Sequence, residues 1–143
     1  LSHEIDLAMH WLGKPVKTIG VVDKLSPLEM DVDDMAILSM KMSNGARVNM
    51  ELDFYSPVNI NQAEIFTEKG KYFWDAQALS FMAYDEKEPK ELQTFNRVFE
   101  QIYHDQMIDF LGFIKGGKSR NCTFEESLWV NSLIEEIEGE CKK

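Results

Sequence analysis

His3, Asp6 and His10 are ionisable side chains at i, i+3 and i+7, so a helix through them would display all three from one side. A histidine with a carboxylate one turn away suits general acid/base work, because imidazoles titrate near neutral pH and the carboxylate can orient the ring. Zinc chemistry is not indicated: the H-E-x-x-H pattern needs a second histidine where Leu7 stands. Spacing alone favours the plainer reading, a helix start carrying solvated polar groups.

Other chemistries find less support. No G-x-S-x-G occurs, and neither Cys122 nor Cys141 has an activating neighbour in sequence. Glycine-rich phosphate loops are absent too; Gly116-Gly117-Lys118-Ser119 resembles the end of one but follows a helical pattern instead of opening one. His104, beside Tyr103 and Asp105, reads as a solvated flank. Tyr72, Phe73, Trp74 and Phe81 could stack on a sugar, although core or interface packing is the commoner fate of such residues.

The elements that must position these groups follow from hydrophobic period. Ile5, Ala8, Met9 and Leu12 share a helix face, and Gly13 with Pro15 ends that helix. Residues 14–24 change to a two-residue period with little charge, which predicts a strand interior to a sheet. The clearest alternation runs from Asp34 to Tyr55. A three-residue turn at Ser43-Asn44-Gly45 sets Met40 opposite Val48 and Leu38 opposite Met50, keeping one face apolar, whereas a two-residue Asn-Gly turn would oppose apolar to charged positions. Met35 and Ile37 on the opposite face suggest cover on both sides of the first of these strands.

Further strands are expected at 62–68, 71–76 and 78–84, with residues 85–90 as a charged turn. From Arg97 the period returns to 3.6, with Phe99, Ile102, Tyr103, Met107, Phe110, Leu111 and Ile114 in one stripe. A last helix opens on a Thr123-Phe124-Glu125-Glu126 capping box and carries Val130, Leu133, Ile134, Ile137 and Cys141. This order predicts an α+β fold: a single, mainly antiparallel sheet of about six strands with helices packed on one face and the other face free for oligomerisation.

Composition bounds the function. The chain has 143 residues, 44% of them apolar, enough for a buried core in one domain. A formal charge of −10 argues against nucleic acid and anionic membranes as partners. Two cysteines without a C-x-x-C suit a reducing, cytoplasmic setting. A start at Leu1, already inside a helical pattern, is what an excised piece of a longer protein would show.

Taken in order, Ser2 to Ala8 ending in Trp11-Leu12-Gly13, Val32-Asp33-Asp34, Ser43-Asn44-Gly45-Ala46, Glu51-Leu52-Asp53-Phe54-Tyr55, Ala63-Glu64-Ile65 leading to Glu68-Lys69-Gly70, and Tyr103 to Ile114 followed by Gly116-Gly117-Lys118 form a familiar series. The chain resembles the C-terminal domain of the Gfo/Idh/MocA family of NAD(P)-dependent oxidoreductases. The resemblance implies that residues 1–143 are a C-terminal substrate-binding and oligomerisation domain, preceded in the parent by a Rossmann domain that binds NAD or NADP; no cofactor is expected for this chain alone.

It further implies roles for single residues. His3 matches the histidine of the family's H-x-x-D pattern, the acid/base that exchanges a proton with a substrate hydroxyl, and Asp6 matches its aspartate, a substrate contact. Asn59 and Asn61 fall in the segment corresponding to a substrate-facing loop. Ser56-Pro57 departs from the Gln-Arg that some sugar-acting members carry, which leaves the substrate class open among sugars, nucleotide sugars and cyclitols. The implied partners are a sugar or polyol, the protein's own Rossmann domain, and further copies of the chain through the open sheet face. The alternative is a non-catalytic α+β ligand-binding or dimerisation module in which His3 is only a surface residue.

Overall fold

A computed structural model describes the backbone of residues 1–76, 80–85, 88–94, 99–118 and 122–141, and the side chains of 1–76, 100–118 and 122–140. The elements run α1 (Ser2–Leu12), β1 (Pro15–Asp23), β2 (Met35–Met42), β3 (Arg47–Asp53), β4 (Gln62–Thr67), β5 (Gly70–Asp75), β6 (Ser80–Asp85), β7 (Glu88–Thr94), α2 (Phe99–Ile114) and α3 (Phe124–Cys141). They divide into two compact units, Leu1–Ser56 with Ser119–Lys143, and Pro57–Lys118. The fold is α+β and, among the described residues, every strand pairing is antiparallel.

The described strands form two sheets, β1-β2-β3 and β4-β5-β6-β7, not the single sheet expected. Asp53 Oδ1 accepts from the amides of Tyr55 at 3.0 Å and Ser56 at 2.5 Å, turning the chain out of β3. Residues 54–61 have no strand geometry. The seventh strand, β7, takes part of the segment expected as a charged turn. Glu88-Pro89-Lys90-Glu91 shows no apolar alternation, yet an edge strand tolerates a proline because only one side of it need pair.

In the first unit the turn at Ser43-Asn44-Gly45 forms as expected. Met40 opposes Val48 and Leu38 opposes Met50, and Gly45 takes φ 90°, a left-handed conformation that glycine adopts without a Cβ clash. Asn44 Oδ1 accepts from the Ala46 amide at 3.0 Å. The inward face of β2 (Ala36, Leu38, Met40, Met42) is buried beneath α1 and α3, where Ile5, Met9, Val130, Leu133 and Ile137 close over Leu38. Strand β1 lies at the edge of this sheet and β2 at its centre, the reverse of what the low charge of β1 suggested. Gly20 on β1 lets α3 approach: a Cβ there would overlap the Leu38 side chain and stand 3.0 Å from Ile137 Cγ2. On the opposite face Ile19, Val21 and Ile37 are exposed, so the expected cover on both sides of β2 is not provided by the described residues.

Asp34 fastens the long β1–β2 connection. Its buried carboxylate accepts from Lys24 Nζ at 2.9 Å, the Leu25 amide at 2.8 Å, the Ser26 amide at 3.0 Å and the Ser26 hydroxyl. Those donors, the Ser26 hydroxyl foremost, hold the carboxyl far below the ordinary carboxylate range.

The second unit is a meander of hairpins followed by α2. Every position of β5 is half-buried. On α2, Tyr103, Met107, Phe110 and Ile114 are exposed. The side chains of Phe81, Tyr84 and Phe99, like Ser119 and the Cys141 side chain, lie outside the described residues.

Candidate functional site

Helix α1 is oriented by its apolar stripe. With Ile5, Ala8 and Met9 buried, the i, i+3, i+7 series leaves His3 and His10 exposed and Asp6 half-buried at the margin of the core. Gly13 then ends the helix at φ 79°, its amide donating to Met9 O at 2.8 Å.

Asp6 is not merely solvated. Its charge is felt at the start of α3, by the Cys122 thiol. Partial desolvation first, then Asp6, push the thiol above its ordinary value. Cys122 Sγ also stands 3.3 Å from Ser127 Oγ. The next residue begins the expected capping box: the Thr123 amide donates to Glu126 Oε2 at 2.8 Å, and the Glu126 amide donates to Thr123 Oγ1 at 3.2 Å. The Thr123 amide, with the Thr123 hydroxyl donating to the same oxygen at 2.9 Å and Lys14 and His10 nearby, lowers the Glu126 carboxyl. Lys14 Nζ lies 5.6 Å from the centre of the Trp129 ring. The polar edge of α1 and the first turn of α3 thus form one patch.

Asn59 and Asn61 belong to the other unit. Asn59 is exposed on the 54–61 connection, and Asn61 O accepts from the Ala76 amide at 2.9 Å, closing the base of the β4–β5 hairpin. Tyr72, Phe73 and Trp74 are half-buried on β5. His104 is exposed, its Nδ1 3.8 Å from Asp105 Oδ1. Cys122 is the member of the patch that sequence reasoning passed over. The capping box places it before α3, but only the packing of α3 beside α1 puts it in the field of Asp6. Among the described residues no group of three His, Cys, Asp or Glu is placed to share a metal ion, and no helix is long and apolar enough to cross a membrane.

A half-buried carboxylate one turn from an exposed imidazole can hold a hydroxyl and move its proton. Residues 1–73 match the family model described as the GFO/IDH/MocA C-terminal domain. No curated protein gave a significant sequence match. Among solved structures, UDP-N-acetylglucosamine 3-dehydrogenase GnnA from Acidithiobacillus ferrooxidans is similar over 96% of this chain and 44% of its own, at 19% identity and TM-score 0.80. Levoglucosan dehydrogenase, in complex with NADH and levoglucosan, is similar over 99% and 47%, at 17% identity and TM-score 0.82. Aldose-aldose oxidoreductase from Caulobacter crescentus, complexed with glycerol, is similar over 99% and 43%, at 19% identity and TM-score 0.76. The chain therefore spans less than half the length of each, and at these identities the likeness is one of fold.

Proposed function

The chain belongs to the GFO/IDH/MocA family, and on that premise we propose that it is the C-terminal, substrate-binding domain of an NAD(P)-dependent oxidoreductase acting on a hydroxyl of a sugar, nucleotide sugar or cyclitol. The observation that carries this reading is that the family match begins on α1 and takes in His3 and Asp6. Similar structures, one a levoglucosan dehydrogenase in complex with NADH and levoglucosan and one a UDP-N-acetylglucosamine 3-dehydrogenase, support it.

The roles follow from elementary chemistry. A bound nicotinamide supplies the hydride acceptor, and this chain offers it no glycine-rich phosphate loop, so its binding falls to the parent's preceding Rossmann domain. His3 takes the hydroxyl proton onto an imidazole nitrogen as the carbinol C–H bond breaks, and returns it in the reverse direction. Asp6 accepts a hydrogen bond from a neighbouring substrate hydroxyl. Asn59 and Asn61 offer further amide donors and acceptors of the kind polyols need. The exposed Ile19, Val21 and Ile37 make the outer face of the first sheet an interface between copies. A free Cys122 suits a cytoplasmic protein.

Titrating the full-length protein with NAD(H) and NADP(H), then screening sugars, nucleotide sugars and cyclitols, tests the proposal. Binding of at least one cofactor form and turnover of at least one polyol is expected. Binding of neither form would overturn it in favour of a non-catalytic module.

A further inference from the structure

Resting on the interface proposed for the outer face of the first sheet, and not on the redox chemistry, we infer that a second copy of the chain docks there with its strands antiparallel, so that the basic end of one face meets the acidic end of the other. The register of β1, β2 and β3 sorts that face by charge. One row across the three strands is Lys17, Lys41 and Arg47, and the row at the far end is Asp23, Met35 and Asp53. Between them lie Ile19, Ser39 and Asn49, then Val21, Ile37 and Glu51. All of these residues are exposed except Met35, which is half-buried. On a chain of formal charge −10, this face carries three cations and three carboxylates, segregated toward opposite ends.

Within one copy this arrangement is unfavourable. Like charges directly opposite on neighbouring strands repel, and among the described residues no ion pair reaches Lys17, Lys41 or Arg47. Nor do the two rows relieve each other: six residues at about 3.3 Å apiece set them about 20 Å apart, more than twice the screening length of about 8 Å at physiological salt. A second copy resolves both ends at once. Turning it about an axis that lies in the contact plane and crosses the strands at right angles sets β1 over β1 with its direction reversed. Lys17 of each copy then lies over Asp23 of the other, Arg47 over Asp53, and Lys41 between those pairs. Ile19 lies over Val21 and Ile37 over Ser39, closing the middle of the patch. An axis along the strands would instead stack cations on cations. The patch, about 20 by 15 Å on strand spacing, is smaller than the roughly 800 Å² per partner of a stable interface, so its charges set how two copies lie more than how tightly they hold.

Sedimentation velocity of the full-length protein tests the orientation. Lys17→Glu and Asp23→Lys should each raise the Kd of self-association roughly tenfold, since each sets like charges at two symmetric contacts. Mixing the two variants in equal amounts should bring association back to within about threefold of wild type, because every 17–23 contact in the mixed pair joins opposite charges. Val21→Asp, at the apolar middle, should weaken association and gain nothing from mixing with either. A mixture of the charge variants that associates no better than either alone would overturn the antiparallel arrangement while leaving the face an interface, and so would weakening by Val21→Asp with no effect of the charge variants. A wild type that stays monomeric, or association untouched by Val21→Asp, would overturn the interface itself and this inference with it. Cofactor binding and polyol turnover, measured separately, bear only on the catalytic reading.

Discussion

The unit of Leu1–Ser56 with Ser119–Lys143 and the unit of Pro57–Lys118 use the same materials, antiparallel strands and periodic helices, to different ends. Among the described residues, every fully buried apolar side chain belongs to the first: the inner row of β2 meets the stripes of α1 and α3, and all three periods are satisfied at once. In the second unit, α2 has as regular a stripe as either of those helices, yet its described apolar residues are exposed. Period therefore predicts that an element forms and which face is apolar; it does not predict what covers that face.

Substitutions in the two units should separate sharply. Leu38→Ala, at 0% exposure under α1 and α3, should cost about 2–5 kcal/mol in denaturant unfolding, combining lost transfer energy with a cavity. Gly20→Ala should cost about 1–3 kcal/mol, because the added methyl must displace Leu38 or push α3 outward. A neutral effect there would mean that α3 sits further from β1 than described.

Asp34→Asn tests the other anchor of the first unit through its pH dependence. The folded-state pKa of Asp34 is depressed, so its stabilisation is present above the ordinary value of 3.8 and is lost as pH falls below it toward the folded value. Wild type and variant should differ most near neutral pH and converge on acidification below pH 3.8; a gap independent of pH would assign the loss to packing instead of charge. Thr123→Ala should cost about 1 kcal/mol through the capping box. Phe66→Ala, 72% exposed in the second unit, should stay within about 0.5 kcal/mol of wild type. A larger cost would show that the second unit buries this ring in the full-length protein.

What could be read from the sequence follows the same division. The hairpin register was legible because only one turn length keeps Leu38, Met40 and Met42 facing the apolar side of β3. The capping box at Thr123 and the stop at Gly13 were legible because each is specified by a few adjacent residues. The edge position of β1 was not, since strand order depends on long-range pairing that low charge does not encode. β7 escaped because an edge strand with Pro89 carries no alternation to detect. For the site, local spacing put His3 and Asp6 on one side of α1, but what stands beside them depends on how α3 packs on α1, which no local pattern encodes.

The central claim is that His3 exchanges the substrate's proton. Steady-state kinetics and cofactor titration of full-length His3→Ala test it most directly. The account predicts a fall in kcat of about 10²- to 10⁴-fold with cofactor affinity nearly intact. A kcat equal to that of wild type on the same polyol would remove His3 from the chemistry and contradict the account.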